Sequence, residues 1–194
     1  MIVEGLEQGS ELWHKFRKRH IMASYGPILM KASKWSTPYD LFCEITGLTP
    51  PRETNGAMQR GLDMEPVARA EFTKLTGIEV VPVVMQSDKH QFMAASLDGW
   101  DEASKTLVEI KCPGLDDHRS ARQGIVPIHY LPQLVHQMIV AYVEKGYYFS
   151  YRPGDVQKEA VLIEVKLDPE YAALLIDVEK DFYRRLQEGD CPER

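Results

Sequence analysis

The chain has 194 residues, 44% of them hydrophobic and 27% charged, a length that supports one well-buried core and is short for two, so we predict a single domain over residues 1–194. Without an 18-residue apolar run or an apolar signal-peptide core, we expect no membrane span, no secretion signal and no membrane partner. Three cysteines without a CxxC spacing favour free thiols in a reducing cytoplasm over a disulfide frame or a zinc site. The net charge of −6 argues mildly against nucleic-acid binding, although HKFRKRH at 14–20 is a local basic patch.

The first part of the chain is predicted to be mainly helical. Helices are predicted over residues 9–25, 38–47 and 62–77. Ser10 is a typical N-cap, and Gly47 and Gly77 are typical residues to end a helix. Pro66 is placed in the first turn of the third helix, where its missing N–H costs nothing. The intervening stretch TPPRETNGA at 49–57 is predicted to be a loop.

The second part of the chain alternates strands and helices. Strands are predicted over residues 78–86, 91–99, 106–112, 147–152 and 160–167, and helices over 130–145 and 168–187. Polar turns between the first three strands indicate an antiparallel meander, in which Pro82 marks an edge or bulged strand. The order of these elements predicts an α/β or α+β fold, with a central mixed β-sheet flanked by helices.

Three charged residues in this predicted sheet need an explanation. Side chains alternate along a strand, so Glu109 and Lys111 share one face, and Asp98 ends the preceding strand. Unpaired charges are costly in a buried sheet. Two carboxylates with a backbone carbonyl and waters suit Mg²⁺ or Mn²⁺, and a neighbouring lysine would help orient or deprotonate an attacking water. The alternative is an ordinary exposed strand face, since a bare E-x-K is common.

The wider pattern resembles a known family. D-x₁₀-E-x-K is the signature of the PD-(D/E)xK nuclease superfamily, and SLDG…VEIKCP is similar to its phage-lambda-exonuclease-like branch, the viral alkaline or YqaJ-type exonucleases. Three further segments match motifs of that branch in the family order: EQGSELWHKFRKRHIMAS at 7–24, RGLDMEPVAR at 60–69 and YLPQLVHQMIVA at 130–141. The resemblance therefore covers most of the chain and implies the same restriction-endonuclease-like fold.

The resemblance also implies a catalytic centre. Asp98, Glu109 and the carbonyl of Ile110 would hold the metal, Glu65 would assist from its helix, and Lys111 would be the catalytic lysine. From the residues alone, Glu65 has another reading, because acidic residues in a first helical turn often simply complement the helix dipole.

Four more positions carry roles implied by the resemblance. Gln133 would position the attacking water or the lysine, Arg17 and Ser24 would bind a 5′-phosphate, and Met58 would be the apolar wedge that parts terminal base pairs. The alternatives are a solvent-facing glutamine, a solvated basic helix face, a helix cap and a core gap-filler.

The function implied by the resemblance is a 5′→3′ double-strand DNA exonuclease that depends on Mg²⁺, or alternatively on Mn²⁺. It would digest one strand from a 5′-phosphorylated end to mononucleotides and leave a 3′ single-strand overhang for annealing recombination. Such proteins form homotrimeric rings on double-stranded DNA with free ends and work beside a single-strand annealing recombinase. A phage or prophage origin in the cytoplasm of a bacterial host would follow. The alternatives are an endonuclease on the same fold and a catalytically dead DNA-binding module.

Overall fold

The computed structural model describes residues 1–50 and 55–194. Within them the helices are α1 (Glu11–Arg17), α2 (Gly26–Leu29), α3 (Pro38–Ile45), α4 (Gly56–Thr76), α5 (Leu115–Arg122), α6 (Leu131–Ala141) and α7 (Pro169–Glu188). The strands are β1 (Ile21–Met22), β2 (Val81–Gln86), β3 (Met93–Asp101), β4 (Thr106–Lys111), β5 (Lys145–Tyr151) and β6 (Ala160–Lys166). Residues 51–54 of the predicted loop 49–57 lie outside the described residues, and its last two residues are helical. No helix in the described ranges is both long and apolar enough to cross a bilayer.

All these strands belong to one mixed sheet. Its order is β1-β3-β4-β5-β6, with β2 paired to the other edge of β3. The pairs β2–β3, β3–β4 and β5–β6 are antiparallel, whereas β1–β3 and β4–β5 are parallel. The predicted fold class is therefore confirmed, as is the predicted antiparallel meander of the first three long strands.

A β-bulge interrupts β3 beside the predicted metal ligands. Val83 pairs with Leu97 but Val81 pairs with Trp100, so Asp98 and Gly99 together stand opposite the single residue Pro82. Proline has no N–H to donate to a ladder, which explains why the regular pairing fails at this point. A bulge bends its strand and redirects a side chain. The expectation that Pro82 marks an edge or bulged strand is confirmed, because β2 pairs only with β3 among the described strands and its pairing is irregular at Pro82.

β3 and β4 separate immediately next to this bulge. They pair only from Gly99 to Asp101 of β3, and β1 pairs with the same edge only at Met93 and Ala94. Residues 95–98 consequently have no strand partner on this edge within the described chain. We call this gap the strand opening. Asp98 lies at its border, where β4 departs.

Helices cover both faces of the sheet. On one face, α6 and α7 pack through a cluster that includes Leu107, Leu134, Met138, Tyr148 and Leu175. On the other face, α4 packs through a cluster that includes Ala68, Phe72, Val108, Ile110 and Phe149. Because side chains alternate along β4, Glu109 and Lys111 project with Leu107 toward α6.

The predicted helix over 9–25 is wrong beyond Arg17. Ser10 does cap α1, accepting from the Trp13 N–H at 3.2 Å. The chain then forms β1, whose Ile21 and Met22 are almost fully buried against β3, and continues through a 3₁₀ turn at Ala23–Tyr25. Pairing with a strand some 70 residues away decides this stretch, so local helix propensity does not reveal it.

The predicted start of the helix over 62–77 is also wrong. Asn55 caps α4 by accepting from the N–H groups of Ala57 and Met58 at 3.0 Å, so Pro66 lies inside the helix and not in its first turn. The Asn-Gly pair at 55–56 is a turn signal in most contexts, which explains the error. Gly77 ends the helix as predicted, with φ 73°.

The helix predicted to reach residue 145 ends four residues earlier. Tyr142 has the left-handed φ of 56° and closes α6. Tyrosine rarely adopts this conformation, so its sequence position gives no stop signal. The remaining predicted elements, 38–47, 147–152, 160–167 and 168–187, match the observed helices and strands within a few residues.

Gly99 is predicted to be intolerant of any side chain. A Cβ there would lie 2.6 Å from Val108 Cγ1 and 2.7 Å from Val80 Cγ2, whereas a Cβ at Gly61, inside α4, meets no atom within 4 Å. We expect Gly99→Ala to lower the free energy of unfolding by about 1–3 kcal/mol. Gly61→Ala should raise it by about 0.5–1 kcal/mol, as alanine does in helix interiors. Urea denaturation of the two variants measures both, and a Gly99→Ala protein as stable as wild type would contradict the packing at the bulge.

Candidate active site

Asp98, Glu109 and Lys111 converge at the strand opening. Asp98 Oδ2 accepts a hydrogen bond from the backbone N–H of Ile110 at 2.9 Å, across the gap where β3 and β4 no longer pair. Glu109 forms an ion pair with Lys111 on the same strand. Glu65 approaches from α4, near enough that its charge and those of Glu109 and Lys111 affect one another. We call these four residues the charged cluster.

The carboxylates of this cluster lie in a nearly dry environment. Glu109 is 0% exposed and Asp98 8%. Burial, together with the charge of Glu109, raises the pKa of Asp98 well above its usual value. Burial also raises the pKa of Glu65, against the opposing effect of Arg69. Ionising these carboxyl groups together is therefore costly, and a bound divalent cation would favour their charged forms.

Lys111 has the opposite electrostatic setting. Burial opposes its charge, but the carboxylates of Glu109 and Asp98 outweigh this and raise its pKa above the ordinary lysine value. The side chain is 24% exposed, so it is not completely enclosed by the protein. Lys111 is therefore a permanent hydrogen-bond donor and positive charge, better suited to orienting groups than to removing a proton.

Arg69 links α4 to the bulge, and sequence reasoning missed it. Its Nε donates to the backbone carbonyl of Asp98 at 2.7 Å, and its Nη2 forms an ion pair with Glu65 one turn earlier. Arg60, on the same helix, donates to the carbonyl of Pro113 at 3.3 Å, just after β4. α4 thus contacts the chain on both sides of the strand opening. The available signal was the i,i+4 spacing of Glu65 and Arg69.

Gln137, and not Gln133, contacts the charged cluster. Gln137 is fully buried on α6 and its amide Nε2 donates to Glu109 Oε2. Gln133 lies one turn earlier, half-buried, and its side chain has no hydrogen bond to any described residue. A sequence containing two glutamines one turn apart does not say which of them faces the sheet.

A buried contact between a histidine and a carboxylate holds α6 in this position. His136 Nδ1 lies 2.9 Å from Glu179 of α7, and its Nε2 lies 3.0 Å from the backbone carbonyl of Ala94. Both residues are 0% exposed. Since His136 precedes Gln137, this contact between helices α6 and α7 and strand β3 also fixes the glutamine that contacts Glu109.

The charged cluster fits a hard divalent cation better than a transition-metal cage. In the described ranges no three His, Cys, Asp or Glu side chains form a ready-made metal site. Glu109 Oε1 is paired with Lys111 and Glu109 Oε2 accepts from Gln137, so a cation at Glu109 would share this buried carboxylate with those two groups. Two carboxylates and a neighbouring carbonyl, without sulfur or imidazole, match Mg²⁺ or Mn²⁺, and Mg²⁺ usually keeps several waters.

The predicted phosphate-binding residues lie on neighbouring segments. The Arg17 guanidinium stacks on Trp13 at 4.5 Å and lies 5.5 Å from the Tyr25 ring. Trp13 Nε1 donates to Ser96 Oγ at 2.9 Å, which attaches α1 to β3 two residues before Asp98. Ser24 is exposed within the 3₁₀ turn and is not its cap. Arg17 forms no ion pair with a described acidic side chain, so its charge is available to a ligand.

Met58 lies at the exposed end of α4. It is 47% exposed, which excludes a role as a core gap-filler. Seven residues separate it from Glu65 on the same helix, a distance of about 10 Å along the axis. The structure therefore places Met58 on the surface, two turns from the charged cluster.

The chain belongs to the YqaJ-like viral recombinase domain family, whose model matches residues 12–144. It is 23% identical to the uncharacterized protein YqaJ of Bacillus subtilis strain 168 over 99% of this chain, and it spans 61% of the length of that relative. All the predicted site residues lie in the matched range.

Solved structures share the fold. The alkaline exonuclease LHK-Exo of Laribacter hongkongensis superimposes with a TM-score of 0.77 and 25% identity, over 93% of this chain and 94% of that one. A phage-related exonuclease of Haemophilus somnus 129PT gives a TM-score of 0.61 at 12% identity, over 91% and 99%. The resemblance to the lambda-exonuclease-like branch is thereby confirmed.

Replacing Gln137 is predicted to cost more than replacing Gln133. Gln137→Ala removes the hydrogen bond to a fully buried carboxylate, and we expect it to lower the free energy of unfolding by about 1.5–3 kcal/mol. Gln133→Ala, its matched control one turn away, should stay within about 0.5 kcal/mol of wild type. Urea denaturation compares them directly. Equal unfolding midpoints would mean that Gln137 does not support Glu109.

Proposed function

We propose that this protein is a metal-dependent deoxyribonuclease that digests one strand of double-stranded DNA from a 5′ end. The observation that carries the proposal is the convergence of Asp98, Glu109 and Lys111 at the strand opening, with Glu65 beside them. The similarity to LHK-Exo, an alkaline exonuclease, supports the same reaction class. The products would be mononucleotides and a 3′ single-strand overhang.

The charged cluster would hold Mg²⁺, or alternatively Mn²⁺, through Asp98, Glu109 and the Ile110 carbonyl, with Glu65 assisting. The ion supplies Lewis acidity and makes water a stronger nucleophile near neutral pH. The residues of the chain perform the remaining tasks. Lys111, kept positive by its carboxylate neighbours, orients the attacking water and stabilises charge that develops on the scissile phosphate.

Gln137 contributes by keeping Glu109 in place, and Arg69 does the same for the bulge that carries Asp98. Gln133 remains a candidate for contacting the water or the lysine, since it is half-buried on the same helix. These contacts matter because moving the catalytic groups by about one ångström can slow the reaction by about 100-fold.

Arg17 and Ser24 would bind the terminal 5′-phosphate, and Met58 would part the terminal base pairs. A guanidinium held by two rings presents its N–H groups in a fixed direction, which suits a phosphate with nearly two negative charges. The exposure of Met58 at the free end of α4 leaves an apolar side chain available to a DNA end.

The assembly proposed for this chain is a homotrimeric ring around the DNA. A 22.2 kDa monomer is too small to enclose duplex DNA, whereas a head-to-tail cyclic trimer closes around it. The ring would work with a single-strand annealing recombinase that takes over the 3′ overhang, in the cytoplasm of a bacterial host that carries the phage or prophage.

Isosteric changes in the charged cluster are expected to stop digestion without unfolding the protein. Asp98→Asn keeps an oxygen that accepts from the Ile110 N–H but loses the negative charge. Glu109→Gln likewise keeps one side-chain oxygen and loses the charge, and Lys111→Met keeps the aliphatic part of the side chain without the ammonium group. Each should slow Mg²⁺-dependent digestion of linear duplex by at least about 100-fold. Circular duplex and EDTA are the controls. Cutting of closed circles by wild type would favour an endonuclease, and full activity of Lys111→Met would contradict the catalytic assignment.

Arg17 is expected to distinguish 5′-phosphate ends from 5′-hydroxyl ends. Wild type should prefer the phosphorylated end, and Arg17→Ala should lose about 1.5–3 kcal/mol of that discrimination because one charged contact disappears. Lys18→Ala is the matched control, since Lys18 is the exposed neighbour at the end of α1. It should weaken binding to both ends equally and in a salt-dependent manner. The measurement is the initial digestion rate of each variant on 5′-phosphate and 5′-hydroxyl ends. Equal wild-type rates on the two ends would contradict the proposed role of Arg17 in binding the 5′-phosphate.

A further inference from the structure

Trp35 is a large aromatic side chain left on the surface. It lies between α2 and α3 and is 67% exposed, although tryptophan is buried to a high degree on average. Lys31 and Lys34 flank it in the sequence and are also exposed, and neither forms an ion pair with a described acidic residue. Positive charges interleaved with an exposed ring are typical of surfaces that follow a nucleic-acid strand.

A series of side chains connects Trp35 to the charged cluster. The Trp35 ring meets the His129 ring edge-on, with 5.4 Å between centroids. His129 lies 4.2 Å from the Tyr130 ring, and Lys111 Nζ lies 5.5 Å from the same ring. Each step is shorter than 6 Å, so three side-chain contacts link the exposed tryptophan to Lys111.

The rings beneath Trp35 are held in place. His129 is 5% exposed, and Asp117 Oδ2 lies 3.2 Å from His129 Nε2 and accepts from the Tyr130 hydroxyl at 3.3 Å. Tyr130 also stacks on Tyr148, which is fully buried, with 5.9 Å between centroids. One side of the Trp35 ring therefore packs against side chains that are held in place. The ring loses little conformational entropy when a ligand covers its exposed side.

The backbone around Trp35 is also anchored. The Trp35 N–H donates to Ser33 Oγ at 3.2 Å. Two residues later, Thr37 caps α3 in a reciprocal capping box with Asp40. An exposed ring on an anchored backbone is preorganised for binding, in contrast to a ring on a free loop tip.

We propose that Trp35 stacks on an unpaired nucleobase of the DNA strand held at the charged cluster, while Lys31 and Lys34 contact the neighbouring phosphates. This inference rests on the proposed nuclease function, because it takes the strand at Lys111 to be DNA. Stacking accepts any base, so Trp35 would help hold the strand without reading its sequence.

The first measurement is binding of labelled DNA that has a duplex end and a single-stranded overhang, in EDTA so that no digestion occurs. Trp35→Ala should bind about 5- to 30-fold more weakly, as expected for loss of one stacked base, and Trp35→Phe should retain most of the affinity. Tyr142→Asn is the matched control. Tyr142 is an aromatic residue 87% exposed at the other end of α6, and asparagine tolerates its left-handed φ of 56°.

The second measurement identifies the stacked base. Single abasic sites are moved along the strand, and affinity is compared between wild type and Trp35→Ala. Wild type should lose affinity at one position, and Trp35→Ala should show no further loss there, which is the coupling expected of two groups in contact. The same measurement with Trp35→Leu, which keeps an apolar side chain but has no ring to stack, keeps the test valid if the alanine variant folds poorly.

The outcomes separate this inference from the proposed function. A wild-type protein that digests linear duplex while Trp35→Ala binds and senses abasic sites like wild type overturns the role of Trp35 alone. A wild-type protein with no digestion in Mg²⁺ or Mn²⁺, but with abasic coupling at Trp35, overturns the nuclease proposal and supports the DNA contact. A Trp35→Ala protein that changes its oligomeric state without changing abasic coupling assigns the ring to a protein interface and overturns the stacking role.

Discussion

The arrangement of the candidate site depends on the hydrogen bond from the Ile110 N–H to the Asp98 carboxylate. Where β3 and β4 separate, a backbone N–H loses the carbonyl partner that a regular ladder would give it, and an unpaired buried N–H is costly. Asp98 supplies the missing acceptor from a side chain. The bulge opposite Pro82 makes this possible, because it places Asp98 out of the regular alternation. The gap in the sheet and the carboxylate that fills it are therefore one feature.

The charges around this hydrogen bond are balanced only in part. Glu109 is buried with an ion pair to Lys111 and an amide contact from Gln137, while Glu65 is paired with Arg69. Asp98 forms no ion pair with a described basic side chain, and burial together with the charge of Glu109 keeps its pKa high. Well-packed apolar residues of similar volume are often at least as stabilising as such a buried charged cluster. Its retention in a dry place is typical of a site that uses charge.

The sequence predicted the parts of this arrangement that follow from short-range patterns. Strand alternation put Glu109 and Lys111 on one face, and Pro82 indicated the irregularity beside Asp98. The errors arose where distant contacts decide, as at Ile21, which leaves a helical pattern to pair with β3. Arg69 and Gln137 were missed for the same reason, since their partners are 29 and 28 residues away. The i,i+4 spacing of Glu65 and Arg69 indicates that these two side chains are neighbours, but local spacing does not show which helix side chains contact Asp98 or Glu109.

The bond between Asp98 and Ile110 also bears on how an ion and the fold are coupled. Because the Ile110 N–H binds one oxygen of Asp98, the folded chain itself contributes to fixing the position of this carboxylate. A metal that enters such a ready framework adds stability only by mass action, in proportion to its concentration over its dissociation constant. This differs from small zinc domains, in which the metal supplies the folding free energy. Chelation would thus leave an intact, reloadable protein, and the ion would serve the chemistry without maintaining the architecture.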